Sequence, residues 1–146
     1  MLFLSSNDNK FMALGPYMIK KIILIDDDKD CNFLQKRTIL RSGLVSEVEV
    51  AQSGEQALDL IRNSERLPEL IFLDINMPGM DGWEFLDELM SEKGGADCGL
   101  NLYILSSSLN PDDHKKAESY SLVKGFIPKY LTEERLQEVI NELTAF

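Results

Sequence analysis

Four apolar runs in this 146-residue chain each end in residues able to hold a cation or handle a phosphoryl group. Ile22-Ile23-Leu24-Ile25 leads into Asp26-Asp27-Asp28, and Leu70-Ile71-Phe72-Leu73 leads into Asp74. Leu102-Tyr103-Ile104-Leu105 leads into Ser106-Ser107-Ser108, and Gly125-Phe126-Ile127-Pro128 into Lys129. Continuous apolar runs of this length, cut off by a polar residue, read as strands buried on both faces. Open α/β sheets bind their ligands beyond the carboxyl ends of such strands. Carboxylates, a hydroxyl and an ammonium therefore converge on one sheet edge, a set suited to a divalent cation and a phosphoryl group.

Asp26, Asp27 and Asp74 in one cleft repel one another, so something must stabilise their ionised forms. A hard cation such as Mg²⁺ does so with oxygen ligands, few protein groups and several waters. A lone aspartate at a strand end is often a helix N-cap, and Asp28, just before a helix, is read that way. Asp74 is either a metal ligand only or a nucleophile, since carboxylates attack phosphoryl donors to form acyl phosphates. Lys129 could then neutralise the transferred group and Ser106 could donate a hydrogen bond to it. Transfer of this kind depends on positioning and charge neutralisation more than on covalent chemistry by the protein.

The elements that must position these residues alternate five times from Lys20 onward. Strands are expected at 20–26, 45–51, 70–74, 101–106 and 124–128. The first helix is expected from Lys29 to Ser42, stopped by Gly43. The second opens on Ser53-Gly54-Glu55-Gln56, a capping-box pattern, and buries Ala57, Leu58 and Ile61. The third starts near Asp81-Gly82 and carries Trp83, Phe85, Leu86 and Leu89; the fourth has Asn110 as N-cap and Pro111 at its first position. The fifth spans 132–144, with Leu136, Val139, Ile140 and Leu143 at i, i+3, i+4, i+7. Repeated βα units with right-handed crossovers make a doubly wound parallel α/β sheet of five strands, one domain over residues 18–146. Residues 1–17, aperiodic and ahead of Met18, are read as a loosely attached extension. Gly94-Gly95-Ala96-Asp97-Cys98-Gly99 reads as a loop before the fourth strand.

Composition narrows the class. A formal charge of −10, from 15 Lys+Arg against 25 Asp+Glu, argues against a nucleic-acid partner. Two separated cysteines and one histidine offer no zinc site, and the cysteines fit a reducing cytosol at least as well as a disulfide. No apolar stretch reaches the ~20 residues that span a bilayer. A cytoplasmic protein with no membrane partner is the expectation.

IILIDDDKD, LIFLDINMPGMDGWEF, YILSSS and GFIPKYLT, in that order, resemble the receiver domain of two-component response regulators. The resemblance covers residues 20–146, and the D-x-N-M-P-G-M-D-G segment is its most specific part. It implies a flavodoxin-like sheet of strand order 2-1-3-4-5. It makes Asp74 the phosphoacceptor and not an enzyme's turnover nucleophile, with Asp26, Asp27, Asp74 and the backbone carbonyl of Asn76 holding Mg²⁺. Ser106 matches the conserved Thr/Ser, Lys129 the conserved lysine, and Phe126 the aromatic position that swings inward with the hydroxyl. Pro78, Gly79 and Gly82 shape the loop into the third helix. Tyr130 departs from the pattern, since receivers usually carry proline there, often after a cis peptide bond.

The resemblance further implies a stand-alone receiver that takes its phosphoryl group from a histidine kinase or a histidine phosphotransfer protein and signals to a downstream protein by contact. Two readings compete. A haloacid-dehalogenase-type phosphohydrolase would need a general acid two residues after Asp74, where Asn76 has an amide. A non-phosphorylated adaptor with the same fold would tend to lose acidic or lysine positions, and none is lost. His114 is expected as a solvated surface residue and Trp83 as a packing residue.

Overall fold

Three of the four apolar runs are buried throughout, as expected of strands covered on both faces, but Gly125-Phe126-Ile127-Pro128 lies at the edge of the sheet with only Ile127 buried, because no further strand covers that side. The computed structural model describes residues 18–93 and 99–144; the expected 1–17 extension and most of the 94–99 loop, with Cys98, lie outside these residues. The elements are β1 (Ile19–Ile25), α1 (Lys29–Arg41), β2 (Val45–Ala51), α2 (Gly54–Arg62), β3 (Leu70–Leu73), α3 (Gly82–Lys93), β4 (Leu102–Ser106), α4 (Pro111–Glu118), β5 (Val123–Pro128) and α5 (Glu133–Thr144). The strands are all parallel in the order β2-β1-β3-β4-β5, as the resemblance implies.

Each face has its own core. Ile23, Ile25, Ile71, Leu73 and Ile104 pack against α2, α3 and α4. Ile22, Leu24, Leu70, Phe72 and Leu105 pack against Ile39 of α1 and Leu136, Val139 and Ile140 of α5. The central strand β3 is buried at all four positions, which is why its sequence shows no alternation.

Local chemistry sets the element ends. Asp28 caps α1, its side chain accepting from the amides of Asp30 and Cys31, and Gly43 follows the helix at φ 74°, a conformation that glycine adopts without steric cost. At α2, Ser53 Oγ accepts from the Gln56 amide, but the Gln56 side chain returns its bond to the Gln52 amide, one residue before the cap. A reciprocal capping box forms instead at α3, between Asp81 and Glu84. Asn110 caps α4 with Pro111 in its first turn. Strands β1 and β3 end one residue earlier than expected, so Asp26 and Asp74 lie just beyond the ladder.

Candidate functional site

Register brings the carboxylates together. Ile25 pairs with Leu73 across β1 and β3, so the next residues, Asp26 and Asp74, emerge side by side. The Asp74 amide donates to the Ile25 carbonyl at 2.9 Å and the Asp26 amide to the Ala51 carbonyl at 3.1 Å. Both aspartates are buried, at 3% and 6% exposure. Asp27 is exposed, yet one oxygen from each of Asp26, Asp27 and Asp74 lies within 4.8 Å of the others.

Lys129 enters from the far end of the sheet. Ser106 pairs with Pro128 in the β4–β5 register, and the Lys129 amide then donates to the Ser106 carbonyl at 3.1 Å. The side chain runs into the cleft, with Nζ 2.6 Å from Asp26 Oδ2 and 3.7 Å from Asp74 Oδ2. The Lys129–Tyr130 peptide is cis, so the geometry common in receivers is kept with tyrosine in place of proline.

The electrostatics leave the cleft short of positive charge. Burial pushes the Asp74 carboxyl up from 3.8 to about 6; Lys129 pulls it down and Asp26 pushes it up. Burial also works against the Lys129 ammonium, but Asp26 and Asp74 outweigh it and hold the group above its ordinary value. Three carboxylates face one ammonium. Asp26 Oδ2, although close to that ammonium, makes no hydrogen bond of acceptable geometry. A buried carboxylate oxygen left in this state, among oxygen donors only, fits a hard divalent cation such as Mg²⁺.

The remaining expected residues divide. Asn76 is exposed and its amide lies 3.5 Å from Asp74 Oδ1, at the outer limit of a hydrogen bond. Gly79 takes φ 75° in the loop. Gly82 is required by close approach, since a Cβ there would lie 2.6 Å from Ile75 Cα and 2.9 Å from the Asp74 carbonyl oxygen. Ser106 is 1% exposed and its Oγ accepts from the Ser108 amide at 3.1 Å; among the described residues no hydrogen bond joins it to Asp74. Phe126 is half-buried and lies outside the cleft. His114 is exposed, as expected, but it is more than a solvated side chain. Its ring stacks on Phe126 with centroids 3.8 Å apart. Trp83 stacks on Tyr120 at 5.7 Å, with Lys116 Nζ 4.9 Å from its ring centre.

Sequence reasoning missed the polar lining of α1. Asn32 and Gln35 are both 2% exposed. Asn32 Nδ2 donates to the Asp26 carbonyl at 2.7 Å, and Gln35 Oε1 accepts from the Leu131 amide at 2.9 Å. Their signal is the spacing to Ile39, which puts Asn32, Gln35 and Ile39 on one helical stripe. Cys31 sits beside them, and burial together with the Asp26 carboxylate pushes its thiol up to about 12, so it stays protonated and unreactive.

Comparison with known proteins places this geometry. The family model for the response regulator receiver domain matches residues 22–141. The chain is 29% identical over 130 residues to the probable methanogenesis regulatory protein FilR2 of Methanothrix harundinacea (strain 6Ac), covering 86% of this chain and 81% of that protein. It is 38% identical over 71 residues to the response regulator MprA of Mycobacterium sp. (strain KMS), covering 49% of this chain but 29% of that longer protein. A two component response regulator from Cytophaga hutchinsonii superposes with a TM-score of 0.79 at 35% identity, covering 86% of this chain and 96% of that one. A response regulator receiver protein from Dyadobacter fermentans does so at 0.75 and 27% identity, covering 85% and 97%.

Proposed function

Because the chain belongs to the response regulator receiver family, we propose that Asp74 accepts a phosphoryl group from a phosphohistidine on a histidine kinase or phosphotransfer protein in the cytoplasm. The observation that carries this reading is the placement of Asp74. It stands at the end of the central strand with two further carboxylates within 4.8 Å and the Lys129 ammonium 3.7 Å away. An Asp74 oxygen attacks phosphorus, the bond from phosphorus to the donor nitrogen breaks, and the donor imidazole leaves. Asp74 attacks as the carboxylate. Lys129 neutralises charge on the transferred group. Asp26, Asp27, Asp74 and the Asn76 carbonyl would hold Mg²⁺, which supplies charge neutralisation at the phosphoryl oxygens.

Output follows from a switch. Once Asp74 is phosphorylated, the Ser106 hydroxyl leaves the Ser108 amide and donates to a phosphoryl oxygen, a charge-assisted bond absent before. Its movement opens room that the Phe126 ring fills, leaving the His114 ring and changing the surface offered to a protein partner. The size of the shift equals the differential affinity of the phosphoryl group for the two states. Residues 18–146 carry this activity and 1–17 are dispensable to it. The phosphohydrolase reading lacks its general acid, because Asn76 has an amide.

Intact mass after incubation with acetyl phosphate and Mg²⁺ tests the reading. The wild type gains one phosphoryl mass and Asp74→Asn gains none; equal labelling of both would place the acceptor elsewhere. Ser106→Ala still takes the label, but loses the beryllofluoride-induced amide shifts across residues 110–130.

A further inference from the structure

Gln35 occupies a position where an amphipathic helix would place an apolar side chain. It faces inward from α1, 2% exposed, and burying an amide there is unfavourable unless it is hydrogen-bonded. Its Oε1 accepts from the Leu131 amide at 2.9 Å, a buried bond between residues 96 positions apart. Leu131 is itself buried, so without Gln35 its amide would be a buried donor with no partner.

That bond lies two residues beyond Lys129. On the other side, the Lys129 amide is tied to the Ser106 carbonyl at 3.1 Å. The lysine backbone is thus held between the edge of the sheet and helix α1. One turn earlier on the same stripe, Asn32 holds the Asp26 carbonyl at 2.7 Å. Helix α1 therefore references both partners of the Lys129–Asp26 contact to a single rigid element.

Building on the phosphoacceptor reading, we infer that Gln35 is a positioning residue for phosphoryl acceptance, aiming the Lys129 ammonium at Asp26 and Asp74 through the Leu131 amide. It touches neither the reacting oxygen nor the phosphoryl group. Its contribution is to fix where the lysine side chain starts. A flexible four-carbon arm reaches its target reproducibly only if its Cα is held, and displacement of a catalytic group by about 1 Å costs up to about a hundredfold in rate.

The test uses the full chain, variants at Gln35 and one control variant at Ile39. Gln35→Met keeps the volume and removes the acceptor, and Gln35→Asn keeps the amide but is one methylene short. Both Gln35→Met and Gln35→Asn are expected to slow Asp74 labelling by acetyl phosphate by about tenfold to a hundredfold, measured at equal fraction folded. Mg²⁺ affinity is held or raised, since the carboxylates remain and the displaced ammonium competes less. The Lys129 13Cε signal and the Leu131 amide signal move in both variants. Ile39→Val, on the same stripe away from the lysine loop, loses stability without slowing labelling.

Wild-type labelling by Gln35→Met with an unmoved Lys129 signal overturns the inference. So does a parallel loss of labelling and Mg²⁺ affinity, which would mark general damage to the pocket. If the wild type takes no label, the phosphoacceptor reading fails on its own, and the Lys129 and Leu131 signals across the variants still decide the positioning role.

Discussion

Helices α1 and α5 pack on the same face of the sheet, and they use it in opposite ways. The inward stripe of α5 is Leu136, Val139 and Ile140, all buried, while Glu133, Glu134, Gln137 and Glu138 face outward. On α1 the inward residues are Cys31, Asn32, Gln35 and Ile39, and large apolar side chains stand outside: Phe33 is 66% exposed, Leu34 51% and Leu40 42%. Helix α5 therefore contributes apolar burial, whereas α1 exchanges part of that burial for hydrogen bonds to the backbone that carries Asp26 and Lys129. One packing surface serves both stability and site geometry, divided between two neighbouring helices.

The largest effect that sharpens this contrast belongs to α5. Leu136→Ala, at a position with 0% exposure, is expected to lose about 2–5 kcal/mol of stability by denaturant unfolding, with Mg²⁺ affinity of the folded fraction unchanged. A loss of metal affinity matching the loss of stability would break the division of labour.

On α1 the balance reverses. Asn32→Ala removes the donor to the Asp26 carbonyl and should cost about 1–3 kcal/mol, less than Leu136→Ala. Mg²⁺ titration followed by Trp83 fluorescence should nevertheless show weaker binding, because Asp26 loses its anchor. Unchanged affinity would reduce α1 to a packing element like α5.

The buried Asp74 carboxylate has an effect of opposite sign. With the Asp74 carboxyl raised to about 6, the folded state binds this proton more tightly than the unfolded chain. In metal-free protein its ionisation therefore lowers stability as pH rises from about 4 through 6. Asp74→Asn should gain about 1–2 kcal/mol at neutral pH, after allowance for solvent screening at the cleft mouth, and the gain should vanish near pH 4. Parallel pH–stability curves for the two proteins would contradict the burial argument. The smallest effect is expected on the outer face of α1, where Phe33→Ser should change stability by no more than about 0.5 kcal/mol in thermal unfolding.

Much of this molecule is legible in the residue order. The runs of β1, β3 and β4 read as unbroken because each is buried on both faces, whereas β5, at the sheet edge, buries only Ile127; the polar ends of all four mark one edge of the sheet. Asp74, Asp26, Asp27 and Lys129 are found this way because each follows its own strand within one or two residues, a local relation. The α5 stripe is visible for the same reason: its period is that of the helix itself. Gln35 and Asn32 break the apolar pattern of their helix, and a polar residue in a helix reads as a solvent-facing one until its partner is known.

What the order of residues determined by itself, then, is which side chains stand at the strand ends and that those ends share an edge. Tertiary structure alone decided that Lys129 leans on Asp26 more closely than on Asp74. It also decided that the Leu131 amide needs Gln35 and that the His114 ring covers Phe126. The physical reason is range. Backbone periodicity and capping act over a few residues and leave a trace in the sequence. A hydrogen bond between residues 96 positions apart exists only once the sheet has set the register and the helices have closed over it.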